Sequence, residues 1–251
     1  MQSIHIDSVS KRFGGVLAVD DVSLTLKAGE IHGLIGPNGS GKTTLLNLLS
    51  GYYDIDAGAI RLDDQLLNNT TVQARAGLGI ARTFQKPKLL ESLSVLDNAM
   101  LGGWRDTKSG FMKTALAMGN TRAQEQALRQ RAEEILHGVG LGRITHEQAG
   151  RLDHAEQRFL EIARSLCMHP KYILLDEPAG GLTEHEIEQL ANIVVTMRDA
   201  GLGVLIVEHH TDFVFRISDQ VTTLNLGKRI AWGAPDAVRN DPEVIRVYLG
   251  A

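Results

Sequence analysis

The sequence has a single cysteine, no excess of positive charge and no long apolar run. With Cys167 alone among 251 residues, no internal disulfide can form. The residue lies in an apolar helical stretch and reads as a buried, inert thiol, not a nucleophile. A formal charge of −4 argues against a nucleic-acid surface, which is normally basic. No apolar run approaches the ~20 residues that cross a bilayer. The opening MQSIHIDSVSKRFGG lacks the apolar core of a signal peptide. A protein soluble when expressed alone, on the cytosolic side, is therefore expected, and any membrane role must come through a partner. Internal repeats and low-complexity tracts are missing too. What remains, at 43% hydrophobic and 22% charged residues, is ordinary globular composition, enough for one α/β core with room for a subdomain.

Within that ordinary composition one stretch is informative. Residues 36–44 read GPNGSGKTT, which meets the phosphate-loop pattern G-x-x-x-x-G-K-[ST] at Gly36, Gly41, Lys42 and Thr43. Glycines let successive N–H groups turn inward as an anion nest. Lys42 adds a point charge for the β- and γ-phosphates, and the Thr43 hydroxyl suits Mg²⁺. Asn38, Gly39, Ser40 and Thr44 complete the candidate nucleotide ligands. The apolar run Glu30–Gly36 precedes the loop and a helix-forming run to Ser50, closed by Gly51, follows it, which is the context this motif needs.

Strand signals fill the first 85 residues: Ile4–Ile6, Val22–Leu26, Ile31–Ile35, Ala59–Leu62 and Gly79–Phe84. From about Lys86 to Arg151 the character is helical, with an amphipathic helix over Thr121–Gly138. Gly102-Gly103 and Lys108–Gly110 are expected to break this region into short helices with mobile joints. The α/β pattern resumes with helix Glu156–Met168, strand Tyr172–Leu175, helix Glu184–Ala200 and strand Val204–Val207. Strands Val221–Leu226 and Arg229–Trp232 and a helix near Pro242–Leu249 end the chain. The expected fold is α/β: a P-loop NTPase lobe (1–85 and 169–251), its mixed sheet covered by helices on both faces with an N-terminal antiparallel portion, and an inserted helical subdomain (86–168).

Lys171–Pro178 is a short apolar strand ending in two carboxylates. Open α/β sheets hold ligands at the carboxyl ends of strands. Asp176 is thus the candidate metal ligand, and Glu177 the candidate base for the attacking water. With these residues the chain resembles the ATP-binding subunit of an ABC transporter over essentially its whole length. The resemblance implies that Gln85, in Arg82-Thr-Phe-Gln, reaches the metal and water and links the lobes. It implies that His209, after Val204–Glu208, contacts the γ-phosphate, and that Phe13 stacks on adenine. A metal site built from Glu208, His209, His210 and Asp212 is the competing use of that histidine, but no zinc-type spacing supports it. The segments Ala81–Leu90, Ser94–Asn98, Trp104–Arg122 and Asn240–Gly250 resemble the branch serving branched-chain amino-acid, urea and aromatic-acid importers. The last of them also resembles the lipopolysaccharide-export ATPase.

One segment departs from the family. Its signature, normally L-S-G-G-Q, reads Leu152-Asp153-His154-Ala155-Glu156 here. The resemblance implies that these residues close over a nucleotide held by the opposite subunit of a head-to-tail dimer. Asp153 puts a carboxylate there, and two unit charges about 4 Å apart repel by roughly 4 kcal/mol at an effective dielectric near 20. Ala155 adds a Cβ where close approach is expected, while His154 can donate. The family's D-loop aspartate is also replaced, by Thr183. The expected function is an ATPase, using ATP and Mg²⁺, that powers small-solute import at the cytoplasmic face of the inner membrane. Its expected partners are a second ATPase subunit (another copy or, favoured, a related chain with an intact signature), two permease subunits and, indirectly, a solute-binding protein. The alternatives are a lipopolysaccharide-export ATPase, a regulatory module that binds ATP and barely hydrolyses it, and a soluble ATPase acting on ribosomes or DNA.

Overall fold

A computed structural model describes residues 2–104 and 118–249, so the expected break at Lys108–Gly110 and residues 105–117 of the 104–122 insert lie outside the described residues. The chain divides into two compact units, Met1–Gln85 with Lys171–Ala251, and Lys86–Pro170.

The first unit begins with a long antiparallel hairpin, β1 (Ser3–Phe13) and β2 (Val16–Lys27). Both strands run well beyond the segments that alternate cleanly in sequence. Register shifts between Ile6 and Arg12 break the period of two, with Ser8 and Asp21 at positive φ, so the hairpin continues where its pattern does not. The chain then enters a second sheet as β3 (Ile31–Ile35) and returns as β4 (Ala57–Leu62) and β5 (Gln65–Leu66), which extend the hairpin in the order β2-β1-β4-β5.

The second sheet adds β6 (Ile80–Arg82), β7 (Tyr172–Asp176), β8 (Gly203–Val207), β9 (Gln220–Asn225) and β10 (Lys228–Gly233). Its order is β10-β9-β3-β8-β7-β6, parallel except for β10. Every residue of β3, β7 and β8 is buried, as strands covered on both faces must be. On one face α1 (Lys42–Ser50) sets Leu45, Leu46, Leu48 and Leu49 into a core with Leu34, Leu174, Leu205 and Val207, shared with Ile4, Ile6 and Val22 of the hairpin. The helices α6 (Glu184–Asp199) and α7 (Thr211–Ile217) pack on β8 and β3. Val214 stands over Gly33, which faces away from Leu34, so these helices cover the other side. Three helices escape the sequence reading: α2 (Val72–Gly77), α7 and α8 (Pro235–Arg239). At five to seven residues they are too short for a 3.6-residue period to show. The last helix, α9 (Pro242–Leu249), falls where expected. Fully buried Arg75 in α2 donates to the carbonyls of Leu48 and Leu49, at the end of α1, and to Leu67.

The register decides where the chemistry sits. Leu34 is level with Val207, and Val207 with Asp176. The segments that follow β3, β6, β7 and β8 therefore leave one edge of the sheet, with β8 between the phosphate loop and the two carboxylates.

In the second unit α3 (Val95–Gly103), α4 (Met118–Gly138) and α5 (His154–Leu166) pack on one another. Gly102 and Gly103 are the last turn of α3, so a helix does end there, while residues 105–117 beyond it lie outside the described ones. A Cβ on Gly102 would strike the Arg164 carbonyl, and one on Gly103 the Leu128 side chain. The pair serves close helix packing.

Candidate functional site

The phosphate loop lies between β3 and α1. Gly41 has φ 103°, and a Cβ there would strike the Ala18 carbonyl, so only glycine fits the turn into α1. That helix has no side-chain cap and no acidic residue in its first turn, which leaves the positive end of its dipole directed at the loop. The Lys42 ammonium is folded back onto the Gly36 and Pro37 carbonyls at 2.6 and 3.1 Å. Burial pulls its pKa down, against the carboxylates of Glu177, Glu208 and Asp176, which favour the charged form. Asn38 to Thr44, Val16 to Ala18, Glu177 and Leu226 line a cleft of about 400 Å³. The Ser40 hydroxyl is buried there with no hydrogen-bond partner. A cleft with N–H donors, a desolvated lysine and an orphan hydroxyl fits a polyphosphate.

Asp176 ends β7 and is buried. Its Oδ2 accepts from Arg82 at 2.9 Å. The same guanidinium donates to Asn47 Oδ1 at 2.6 Å and Ser50 Oγ at 2.8 Å, and lies 5.4 and 5.5 Å from the Tyr52 and Phe84 ring centres. Arg82 thus fixes the aspartate from β6, a role that its place in Ala81–Leu90 did not signal. A buried carboxylate and the Thr43 hydroxyl are hard oxygen donors, a set that fits Mg²⁺.

Glu177 has φ 47°, a conformation that side-chain-bearing residues rarely hold. Its Oε2 accepts from Gln85 Nε2 at 2.8 Å, and its Oε1 lies 4.0 Å from His209 Nδ1. Base candidate, glutamine and histidine therefore meet in this structure. Glu208, by contrast, is no part of a metal cluster. Its carboxylate is taken up by main-chain N–H groups, and among the described residues no group of three or more His, Cys, Asp or Glu side chains is arranged to hold a metal.

Phe13 closes β1, 42% exposed. It meets Tyr53 edge-on at 5.1 Å, with the Lys11 ammonium, itself paired to Asp56, 5.6 Å from its ring centre. An exposed aromatic three residues before the cleft-lining Val16 is available for stacking. In the second unit Asp153 is the N-cap of α5. Its Oδ1 accepts the Glu156 N–H at 2.8 Å, and Glu156 Oε2 accepts the Asp153 N–H at 3.0 Å. His154 and Ala155 form the first turn. Thr183 makes the same reciprocal cap with Glu186 at α6, a helix-starting role for the residue that replaces the D-loop aspartate.

A glycine loop between a parallel strand and a helix, facing two strand-end carboxylates, defines a P-loop nucleotide hydrolase. The sequence specifies the class further. Residues 19–180 match the ABC transporter family, and residues 228–251 the branched-chain amino acid ATP-binding cassette transporter family. The chain is 39% identical to the high-affinity branched-chain amino acid transport ATP-binding protein LivG of Escherichia coli (strain K12), over 98% of this chain and 97% of that one. It is 34% identical to the lipopolysaccharide export system ATP-binding protein LptB of the same organism, over 100% and 98%. A crystal structure of a nucleotide-free ATP-binding cassette from an ABC transporter superposes with a TM-score of 0.86 at 29% identity, covering 100% of both chains. The protein belongs to the ABC transporter family and is an ATP-binding, ATP-hydrolysing cassette.

Proposed function

We propose that this cassette powers the import of a branched-chain amino acid or a related small solute, working at the cytoplasmic face of the membrane on two permease subunits fed by a solute-binding protein. No described helix is long and apolar enough to cross a membrane, so the cassette acts through those subunits. The observation that carries the substrate class is the 39% identity to LivG along nearly the whole chain, together with the matching C-terminal segment.

In this reading the loop from Gly36 to Thr44 and Lys42 bind the β- and γ-phosphates, and Phe13 stacks on adenine. Mg²⁺, when bound, neutralises charge on the β- and γ-oxygens, and Thr43, Asp176 and Gln85 are its proposed ligands. Glu177 takes the proton from the attacking water, Gln85 orients its carboxylate, and His209 contacts the γ-phosphate.

A bacterial ABC transporter cassette 25% identical to this chain has a dimeric structure, and this reading has the present cassette pair in the same way. We favour a related partner chain with an intact signature, because Asp153 and Glu156 already fill the start of α5 with their own carboxylates. One composite site is then fast, closed by the partner's signature on this chain's phosphates, and one slow.

Reconstitution of the cassette with its permeases in proteoliposomes tests the assignment. ATP hydrolysis should rise with solute-binding protein loaded with leucine, isoleucine or valine. Stimulation by lipopolysaccharide and none by amino acids would establish the export reading instead, and hydrolysis that no transported substrate stimulates would point to the regulatory one.

A further inference from the structure

Glu208 stands between the two catalytic candidates. It precedes His209 and its side chain is fully buried at the end of β8. One oxygen accepts the Ala179 N–H at 2.7 Å; the other accepts those of His209 and His210 at 3.1 and 3.4 Å. Burying a carboxylate is costly even when N–H donors surround it, and burial here outweighs those bonds in holding its pKa above the ordinary range. Stability alone is a poor reason to keep such a group, since an apolar side chain of similar volume often serves a core as well.

What the group joins explains it better. Ala179 lies two residues past Glu177, whose positive φ persists only where surroundings over-determine it. The Glu177 N–H donates to Val207 O at 2.9 Å, Gly180 N–H donates to Glu177 O at 3.2 Å, and Ala179 N–H is the bond to Glu208. One carboxylate therefore ties the turn that carries Glu177 to the backbone that carries His209.

We infer that Glu208 is a positioning residue that locks these two segments in one register, so that the base and the γ-phosphate contact are aligned together. This rests on the roles proposed for Glu177 and His209. A group that only aligns the base is felt in the transition state and not in nucleotide binding. Glu208→Gln keeps the volume but offers one acceptor to three donors and turns an NH₂ toward the rest. In the purified full chain its kcat should fall ten- to a hundredfold, while affinity for a fluorescent ATP analogue stays within about threefold. The amide resonances of Ala179 and His209 should shift in the same variant, and Glu208→Asp should recover part of the loss. The inference is overturned by an unchanged kcat, by kcat and affinity falling together, or by activity that merely follows the folded fraction. Should Glu208→Gln not fold, the wild-type Ala179 amide decides: hydrogen exchange as slow as in β8 supports the tie, and fast exchange refutes it. Glu177→Gln runs alongside. If that variant turns over normally the base assignment fails, whereas an inert Glu177→Gln beside a fully active Glu208→Gln sinks only the present inference.

Discussion

Two helices of this protein start in opposite ways. In the unit of Met1–Gln85 and Lys171–Ala251, α1 opens on Gly41 with no side-chain cap and no acidic first turn. In the unit of Lys86–Pro170, α5 opens on Asp153 with a complete capping box to Glu156. The N–H groups that begin a helix form an anion site unless a side chain satisfies them. The first helix keeps that site for a phosphate, at the cost of stability in the free chain. The second brings its own carboxylates and gains about 1 kcal/mol of helix stability; in the proposed reading it also presents negative charge where an intact signature would present donors. Nucleotide affinity is thus expected to reside with α1, and weakness in trans closure with α5.

The hardest way to break this contrast is at Lys42. Lys42→Ala removes the loop's own positive charge, and ATP binding or turnover should fall more than about a hundredfold. Equilibrium binding of a fluorescent ATP analogue and steady-state hydrolysis check it; unchanged values would remove the nucleotide site from α1. Glu177→Gln should do the converse, binding ATP while hydrolysis slows by about 10²–10⁴, with the ATP-bound dimer accumulating on gel filtration.

The difference between the two helices also measures how legible the chain was. The phosphate loop, Asp176 and Glu177 could be read because their spacing is fixed by backbone geometry within one strand and one turn. The role of Asp153 as a cap is local too, with its partner three residues on, yet it was missed, because the helix was expected to start only at Glu156. Arg82 and Glu208 could not be read, because what defines them is distant. Arg82 reaches Asn47, Ser50 and Asp176, and Glu208 reaches Ala179. The hairpin β1–β2 was half visible, since its bulges scramble the alternation that marks a strand. Gly102-Gly103 was read as an interruption, and α3 does end there, but its packing role stayed hidden because glycine looks the same at a helix end and in a tight helix contact.

At its other end α1 depends on Arg75, whose guanidinium meets the Leu48 and Leu49 carbonyls, the first of which also accepts the Gly51 N–H. Arg75→Ala would take from Leu49 its guanidinium donor, weaken the pairing of Leu48 and Leu67 and leave a cavity, with an expected loss of about 3 kcal/mol in urea unfolding. A loss below about 0.5 kcal/mol would mean that water replaces the side chain, and that the helix is held by its leucines alone.

A smaller effect is expected from repairing α5. Asp153→Ser with Ala155→Gly keeps a capping oxygen, removes the charge and clears the Cβ. Hydrolysis by a homodimer should rise severalfold, that is by roughly 1 kcal/mol in barrier. A homodimer that already hydrolyses briskly, with no gain from repair, would remove the case for an asymmetric pair.

The finest test separates charge from capping. Asparagine caps a helix about as well as aspartate, so Asp153→Asn should cost only the favourable interaction of the charge with the helix dipole, about 0.3–1 kcal/mol and less at high salt. If Asp153 hinders trans closure by its charge, this substitution should raise the homodimer's hydrolysis rate while thermal unfolding barely moves, and added salt should narrow the rate difference between the two proteins. If its role is confined to starting α5, rate and melting temperature should drop together, slightly, at every ionic strength. A rate gain in Asp153→Ser with Ala155→Gly but none in Asp153→Asn would assign the hindrance to the Ala155 methyl. The contrast between α1 and α5 would then be one of backbone access and not of charge.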